Sequence, residues 1–237
     1  MAGVQGAEPP GLASYPATHP PTPHSMRKVA PGPGPAAPPR FGDGRRMRVG
    51  LLGGSFNPAH AGHRHVAEWV RRRLRLDQVW LLVSPGNVLK PQAGMAPFAV
   101  RLAGARAWAD GRRIVASGIE GALHVRYSID TVRQLRMRFP RVRFVWVMGA
   151  DILEQLPRWR QWDLFIRSVP FLVMPRPSYN LRALSGQAAR RLRAARLPAR
   201  AAPMLAGAVP PAWIFLPAPQ HPASASAIRA ARKGAVP

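Results

Sequence analysis

Short, uninterrupted apolar runs alternate with longer amphipathic stretches along the chain from residue 47 onward. The apolar runs predict six β-strands, at Met47–Leu52, Gln78–Val83, Arg113–Ala116, Arg143–Met148, Pro170–Met174 and Ala212–Leu216. The stretches between them predict helices, at His63–Leu76, Pro97–Asp110, Ser128–Phe139, Ile152–Ser168 (broken near Pro157) and Leu181–Leu197, and a last short helix from Ser226. Apolar runs without alternation are typical of a parallel sheet that helices cover on both faces. The pattern therefore predicts an α/β fold with a doubly wound parallel sheet.

The chain before this pattern has a different composition. Residues 1–45 are rich in Pro, Gly, Ala and Ser, and Pro alternates with Gly over 31–35. Such a segment buries too little apolar surface to offset the entropy lost on ordering. We therefore predict a disordered leader over 1–45 and a single domain over 46–237. A transit peptide is the alternative, since the leader is basic and poor in acidic residues, but it contains no amphipathic helix.

The composition is strongly basic, with a formal net charge of +25. Only three of the 35 basic residues are lysines, and arginine is common everywhere, as are Ala and Pro. A coding bias towards these residues explains the charge better than a nucleic-acid-binding surface does, so no specific nucleic-acid partner is predicted. A positive protein still favours small anionic substrates such as nucleotides.

The chain has no cysteine and no apolar run of about twenty residues. Disulfides and a membrane-spanning helix are therefore not expected, and no compact apolar signal peptide is present. We predict a cytoplasmic protein.

The clearest chemistry lies directly after the first predicted strand. The segment from Gly53 to His63 reads Gly-Gly-Ser-Phe-Asn-Pro-Ala-His-Ala-Gly-His and leads into the first predicted helix. Glycines let the backbone approach a ligand closely, and the N–H groups at a helix N-terminus attract anions. His60 and His63 add side-chain donors, which predicts a phosphate-binding site. Two alternatives remain, namely imidazoles that only cap a turn and a zinc site completed by His65, which lacks a nearby fourth ligand.

This segment resembles the Gly-Gly-Ser-Phe-Asp-Pro-x-His-x-Gly-His signature of bacterial nicotinate-nucleotide adenylyltransferases, within the nucleotidyltransferase superfamily. Ten of its eleven positions match, and the departure is Asn57 in place of Asp. The change removes a negative charge that could have bound a metal ion, while an amide can still hydrogen-bond within the turn.

Further blocks of the same family occur in the same order along the chain. They are Tyr127–Thr131, Met148–Asp151, the Leu-Pro-Arg-Trp-Arg-Gln-Trp run at 156–162, Pro175–Pro177 and Ser224–Arg229, in which Ala225 replaces a serine. The order and spacing of these blocks are more specific than any one of them.

The resemblance implies a Rossmann-like nucleotidyltransferase fold and transfer of the adenylyl group of ATP to nicotinate mononucleotide. Pyrophosphate leaves, and no covalent enzyme intermediate forms. His60 and His63 are the implied catalytic residues, with His63 as the better candidate for stabilising the transition state. Mg²⁺ is the implied cofactor, held mainly by substrate phosphates, because no cage of carboxylates is visible in the sequence.

The resemblance also implies two sets of binding residues. The ATP and phosphate ligands are Gly53, Gly54, Ser55, Phe56, Lys90, Ser224, Ser226 and Arg229. The ligands of the nicotinate nucleotide are Ser84, Gly86, Tyr127, Asp151 and Trp159. In the second set, backbone N–H groups of the 84–86 turn and of Tyr127 could bind the nicotinate carboxylate, and Trp159 could stack on the nicotinate ring.

Structural roles remain open for several of these residues. Lys90 could be a solvated loop lysine, Asp151 a helix N-cap, and Trp159 a core residue. Ser224 and Ser226 could cap the last helix without binding a ligand. Arg101 and Arg106 lie on a predicted helix, but arginine is so common in this chain that no role is assigned to them.

Two other functions remain as alternatives. One is a sibling transferase that acts on nicotinamide mononucleotide, phosphopantetheine or a cytidylyl acceptor. The other is a basic, non-enzymatic relative that binds nucleic acid. The sequence leaves the oligomeric state open, a homo-oligomer included.

Overall fold

The core of the protein is one parallel β-sheet. The computed structural model describes residues 37–86, 94–176, 180–219 and 221–234. Its sheet has six strands in the order β3-β2-β1-β4-β5-β6, namely β1 Arg48–Gly54, β2 Gln78–Val83, β3 Ile114–Ser117, β4 Arg143–Gly149, β5 Phe171–Met174 and β6 Trp213–Phe215. All neighbouring strands pair in parallel. The predicted doubly wound α/β fold is confirmed.

The strands are apolar on both sides because helices cover both faces. On β2, the side chains of Trp80 and Leu82 belong to one buried cluster, while those of Val79, Leu81 and Val83 belong to the other. The helices are α1 Ala61–Arg73, α2 Phe98–Arg106, α3 Ile119–Ala122, α4 Ser128–Arg138, α5 Ala150–Gln155, α6 Trp162–Ser168, α7 Asn180–Ser185, α8 Gln187–Arg191 and α9 Ala225–Gly234. Three 3₁₀ segments lie at Leu156–Arg158, Arg193–Ala195 and Ala199–Gly207.

The predicted helix at Leu181–Leu197 is wrong as a single element. It consists of α7, α8 and a 3₁₀ turn, because Gly186 is extended (φ −69°, ψ 169°) and separates the two helices. The break near Pro157 is confirmed, since a 3₁₀ turn separates α5 from α6. The sequence pattern missed α3, which has only four residues, and the 3₁₀ segment at Ala199–Gly207, which contains Pro203.

Two boundary differences bear on the site. β1 continues two residues past Leu52, so Gly53 and Gly54 pair with β2 rather than beginning the turn. α1 starts at Ala61, two residues before the predicted start at His63. The turn between strand and helix is therefore 55–60.

The last residues of the predicted leader contact the domain. Residues 1–36 of the predicted leader lie outside the described residues. Within 37–45, the Arg40 carbonyl accepts a hydrogen bond of 2.8 Å from Arg138 Nε on α4, and the Arg45 guanidinium lies 5.6 Å from the centre of the Phe139 ring. Arg40 and Arg45 therefore pack on the domain, and the boundary at 45/46 stays a prediction. In the described part of the chain no helix is long and apolar enough to cross a membrane.

The strand order positions a ligand site. β1 and β4 are neighbours at the centre, and the chain winds outward from them in opposite directions. Such a topological switch point leaves a crevice beyond the carboxyl ends of the two strands, where open α/β sheets bind ligands. The turn after β1 and the start of α5 after β4 border this crevice.

Candidate active site

His60 and His63 cap the N-terminus of α1 together. His60 is the N-cap residue, and its Nδ1 accepts a hydrogen bond of 3.1 Å from the Gly62 N–H. The His63 Nδ1 accepts one of 3.2 Å from the His60 N–H. The two ring centroids lie 3.9 Å apart. Each imidazole thus accepts a hydrogen bond from a backbone N–H at the start of the helix, in the arrangement known as a capping box.

This capping fixes the tautomer of both rings. Because each Nδ1 accepts a hydrogen bond, a neutral ring must carry its proton on Nε2. Among the described residues neither Nε2 has a hydrogen-bond partner. Capping is therefore real, but it leaves one N–H donor on each ring for a ligand.

Both imidazoles are held uncharged. Burial, followed by the charges of His60 and Arg176, lowers the pKa of His63 to about 3. Burial also lowers the pKa of His60, and the charges of His221 and Arg176 lower it further. A bound anion beside the rings would oppose these charge effects, because negative charge favours imidazolium.

The glycine between the histidines is required by close packing. A Cβ on Gly62 would lie 2.8 Å from the His60 Nδ1 and 3.2 Å from the Ala223 carbonyl oxygen. Only a residue without a side chain lets the His60 ring fold over the helix start while the C-terminal segment approaches from the other side.

α9 brings the C-terminal ligand candidates to the same turn. The Ser224 hydroxyl accepts a hydrogen bond of 3.1 Å from the Ala227 N–H, so the predicted cap is confirmed for Ser224. Ser226 instead accepts one of 3.1 Å from Arg229 Nη2. Arg229 Nη1 donates to the Asn57 carbonyl at 2.6 Å, which joins α9 to the turn after β1.

Asn57, the departure from the signature, uses both ends of its amide. Nδ2 donates to the Gly94 carbonyl at 3.1 Å, and Oδ1 accepts from the Ala96 N–H at 3.2 Å. A carboxylate could supply only the acceptor. Asn57 therefore fastens the turn to segment 94–96, and its side-chain oxygen is already engaged rather than open to a metal ion.

The remaining predicted phosphate ligands lie at the end of β1 and the start of the turn, and their binding role stays a prediction. Phe56 is 2% exposed, and its ring lies 4.8 Å from that of His63, so its side chain supports the histidine. Gly53 and Gly54 end β1, and Ser55 begins the turn. Lys90 falls outside the described residues, so its predicted role stays a prediction.

Asp151 lies on the opposite side of the crevice, in the first turn of α5. The N-cap position belongs to Gly149, so the N-cap alternative for Asp151 is wrong. The Asp151 Oδ1 is buried without a hydrogen-bond partner among the described residues and lies 3.6 Å from Arg176 Nε. A buried carboxylate oxygen without a hydrogen bond is unusual, and here it faces the charge of Arg176. A Cβ on Gly149 would lie 2.3 Å from this oxygen, so a side chain at this position would displace Asp151 and Arg176.

Arg176 is a cation at this site that the sequence pattern did not predict as a binding residue. It follows β5, in the Pro-Arg-Pro block, and its charge acts on the imidazoles of His60 and His63 as well as on Asp151. Its position between the two sides of the crevice suits a phosphate.

The aromatic candidates lie after β3 and β4. Trp159 is half-buried and packs edge to face against Trp146 and Phe165, with ring centroids 6.3 Å and 5.3 Å away. It therefore has a core role. Part of the ring is exposed, and its stacking on the nicotinate ring stays a prediction. Tyr127 precedes α4, and the Arg160 guanidinium lies 4.7 Å from the centre of its ring.

The 84–86 turn is only partly available to a ligand. The Ser84 N–H donates to the Gly54 carbonyl at 3.0 Å, and the Ser84 hydroxyl donates to the Gly86 carbonyl at 2.9 Å. Ser84 therefore shapes the turn, and its N–H is not open to the nicotinate carboxylate. The backbone N–H groups of Gly86 and Tyr127 remain the predicted donors.

Arg101 is the residue that sequence reasoning missed. It lies on α2, is 3% exposed, and donates four hydrogen bonds to backbone carbonyls, those of Ser55, Ser84, Pro85 and Ala96. A signal was present, because Arg101 is four residues before the buried Ala105, on the apolar face of the helix. An arginine at such a position needs partners.

The described residues contain no group of three or more His, Cys, Asp or Glu side chains arranged to hold a metal ion. The zinc alternative also conflicts with the hydrogen bonds, since the Nδ1 atoms of His60 and His63 are engaged and the His65 Nε2 lies 3.3 Å from the Pro219 carbonyl.

Comparisons with known proteins decide the family. A cytidylyltransferase-like family model matches residues 51–231. The chain is 58% identical over 190 residues to a Gluconacetobacter diazotrophicus protein named "Probable nicotinate-nucleotide adenylyltransferase", covering 80% of this chain and 88% of that protein. The chain belongs to the nicotinate-nucleotide adenylyltransferase family. A Gluconobacter oxydans member of the family with the same name is also 58% identical, over 183 residues that cover 77% of this chain and 94% of that protein.

A solved structure shows the family fold. Plasmodium falciparum nicotinic acid mononucleotide adenylyltransferase complexed with NaAD is 13% identical, with a TM-score of 0.59 over 78% of this chain and 83% of that chain. At this identity the likeness shows the fold alone, and it confirms the predicted Rossmann-like nucleotidyltransferase architecture.

Proposed function

We propose that this chain transfers the adenylyl group of ATP to nicotinate mononucleotide and releases pyrophosphate, a step of NAD biosynthesis. The product is nicotinate adenine dinucleotide. The observation that carries the proposal is the pair of imidazoles that cap α1 at the switch point of the sheet, each with its Nε2–H available. The family membership supports the substrate pair.

The reaction needs positioning and charge stabilisation rather than a protein nucleophile. A phosphate oxygen of the mononucleotide attacks the α-phosphorus of ATP, and the bond from that phosphorus to the bridging oxygen of pyrophosphate breaks. Negative charge on the transferring phosphoryl group is then stabilised by preorganised donors. His63 and His60 supply Nε2–H donors, and Arg176 supplies a full charge.

The N-terminus of α9 suits the distal phosphates of ATP. Ser224 caps this helix, and Arg229 lies on it beside the turn after β1. The positive end of the helix dipole and the guanidinium act in the same direction. Lys90 is proposed to add a further cation.

Mg²⁺ is proposed to arrive with the substrate phosphates. Near the turn after β1 the protein supplies nitrogen donors, whereas Mg²⁺ prefers oxygen ligands and retains water. Bound there, the ion would neutralise phosphate charge.

The mononucleotide is proposed to lie on the β4 side of the crevice. The unsatisfied Asp151 Oδ1 would accept from a ribose hydroxyl, and the exposed part of Trp159 would stack on the nicotinate ring. The N–H groups of Gly86 and Tyr127 would bind the carboxylate. Such donors favour the acid over the amide, because an amide offers a weaker acceptor and leaves a donor partly unsatisfied.

A substrate panel tests the proposal. The purified protein is incubated with ATP, Mg²⁺ and, separately, nicotinate mononucleotide, nicotinamide mononucleotide or phosphopantetheine. Pyrophosphate is measured by a coupled phosphatase assay, and the adenylylated product is identified by mass spectrometry. We expect the highest kcat/KM with nicotinate mononucleotide. Turnover with phosphopantetheine alone would replace the proposal by the sibling reaction.

Nucleic-acid binding is tested in parallel by titrating duplex DNA at two salt concentrations. The basic composition predicts weak binding that disappears as salt is raised. Salt-resistant, sequence-selective binding would support a nucleic-acid function.

A cytoplasmic location is proposed together with the reaction.

A further inference from the structure

The turn after β1 and the end of β2 are held together by one buried side chain. Arg101 Nη1 donates to the Ser55 carbonyl at 2.8 Å and to the Ser84 carbonyl at 2.7 Å, and Nη2 donates to the Pro85 carbonyl at 3.1 Å. One guanidinium therefore spans the ends of two neighbouring strands.

A second contact extends this arrangement to segment 94–96. Arg101 Nε donates to the Ala96 carbonyl at 2.9 Å, while the N–H of the same residue donates to the Asn57 Oδ1. Asn57 also donates to the Gly94 carbonyl. Ala96 is thus held from both sides, by a side chain on α2 and by one in the turn after β1.

This use of an arginine is chemically specific. Four of the five guanidinium N–H groups donate to carbonyls, in directions that only a planar fork can reach. A lysine has three donors on a single atom and cannot span the same set. None of the ion pairs among the described residues includes Arg101, so its charge is met by carbonyl dipoles and by the ring of Phe98, whose centre lies 5.7 Å from the Arg101 Cζ.

We infer that Arg101 is the positioning residue that fixes the ATP side of the site, at the turn 55–60, relative to the mononucleotide side, at the 84–86 turn. It does so through Ser55 on one side and the Ser84–Pro85 turn on the other. Asn57 assists on the ATP side alone, since its carbonyl holds Arg229 and its side chain holds segment 94–96. The inference rests on the proposed function for the identity of the two substrates.

Arg101 and Asn57 therefore have separable effects. Displacing the strand ends by about 1 Å is enough to cost on the order of 100-fold in rate. Arg101→Lys is expected to raise the KM for ATP and for nicotinate mononucleotide together and to lower kcat/KM by about 10- to 100-fold. Asn57→Ala and Asn57→Asp are expected to raise the KM for ATP by about three- to tenfold and to leave that for the mononucleotide unchanged.

The experiment measures both KM values and kcat for these variants well below their unfolding midpoints, with Arg106→Lys, an exposed arginine on the same helix, as the matched control. The double variant Asn57→Ala/Arg101→Lys completes a cycle. Because both side chains hold Ala96, its loss of kcat/KM is expected to be smaller than the product of the two single losses.

Loss of folded protein alone would lower kcat and leave both KM values unchanged, and that result for Arg101→Lys would overturn the inference. A control variant as impaired as Arg101→Lys would also overturn it. If the wild-type protein releases no pyrophosphate with any acceptor, the proposed function fails instead. Calorimetric binding of an ATP analogue that cannot be cleaved between its α- and β-phosphates then tests Arg101, with weaker binding by Arg101→Lys expected and equal binding contradicting it.

Discussion

The two sides of the crevice are built by different kinds of contact. We call the turn 55–60 with the starts of α1 and α9 the phosphate side, and the 84–86 turn, Tyr127, Asp151 and Trp159 the mononucleotide side. On the phosphate side, hydrogen bonds fix His60, His63 and Arg229 before any ligand binds. On the mononucleotide side, aromatic rings pack edge to face, and Asp151 keeps an unsatisfied oxygen.

The difference separates two tasks. The two imidazoles stabilise charge that develops in the transition state, so changes to them should lower kcat. Arg229 is proposed to bind the distal phosphates, so changes to it should raise the KM for ATP. Aromatic faces and an open acceptor recognise the substrate, so changes on the mononucleotide side should raise its KM. The predictions below test this division.

The largest effect is expected from His63. His63→Asn places an acceptor where Nδ1 lies and can keep the hydrogen bond to the His60 N–H, but it removes the Nε2 donor. We expect kcat to fall by about 100- to 1000-fold, because a preorganised donor to the transition state is lost. Steady-state kinetics with nicotinate mononucleotide measure the change.

A matched control is His124→Asn, which changes an exposed histidine outside the site. It should keep wild-type kcat. Undiminished activity of His63→Asn would show that His63 only caps the helix.

A smaller effect is expected from Arg229. Arg229→Ala removes a cation and its bond to the Asn57 carbonyl, so the KM for ATP should rise by about tenfold. Arg229→Lys keeps the charge but not the forked contact, and it should recover part of the loss. An unchanged KM for ATP in both variants would show that α9 does not bind the phosphates of ATP.

Trp159 tests the mononucleotide side. Trp159→Leu should raise the KM for nicotinate mononucleotide by about 2- to 12-fold, since a stacked aromatic pair contributes about 0.5–1.5 kcal/mol beyond area burial. The KM for ATP should stay at its wild-type value. Trp162→Leu is the control, and equal effects from both tryptophans would indicate a packing role only.

The smallest effect concerns Glu120, which supports the helix after Tyr127. Burial raises the pKa of Glu120 to about 7, although the Thr131 hydroxyl donates to its Oε1 at 2.8 Å. The folded state therefore holds this proton more tightly than the unfolded chain, and the free energy of unfolding falls as pH rises from 4.5 through 7.

Glu120→Gln cannot ionise and keeps an oxygen for Thr131. It should be more stable than wild type at pH 8, by about 1–3 kcal/mol, and nearly equal at pH 4.5. Urea unfolding at both pH values measures this. Glu68→Gln, which changes a surface ion pair, should differ little from wild type at either pH, and the same behaviour of Glu120→Gln would contradict a raised pKa.

The sequence predicted the sheet and the His-x-Gly-His site well because both depend on local patterns. Six apolar runs became six strands, and the strand of Gln78–Val83 has the predicted bounds. The contacts that shape the site are long-range, and a single sequence does not show them. Arg101 reaches the Ser55 carbonyl across 46 positions, and Arg229 reaches that of Asn57 across 172.

The tautomer of His63 could not be predicted for the same reason. It depends on a hydrogen bond with the His60 N–H, which forms only when the helix starts at Ala61. Sequence reasoning placed the helix start at His63, because glycine and alanine carry little apolar signal.

The central claim is that two uncharged imidazoles present Nε2–H donors to the phosphates. Imidazole ¹⁵N NMR of the ligand-free protein at pH 7 tests it directly, with His63→Asn used to assign the signals. We predict neutral rings for His60 and His63, both protonated on Nε2 and not on Nδ1. Rings that are charged at pH 7, or protonated on Nδ1, would contradict it.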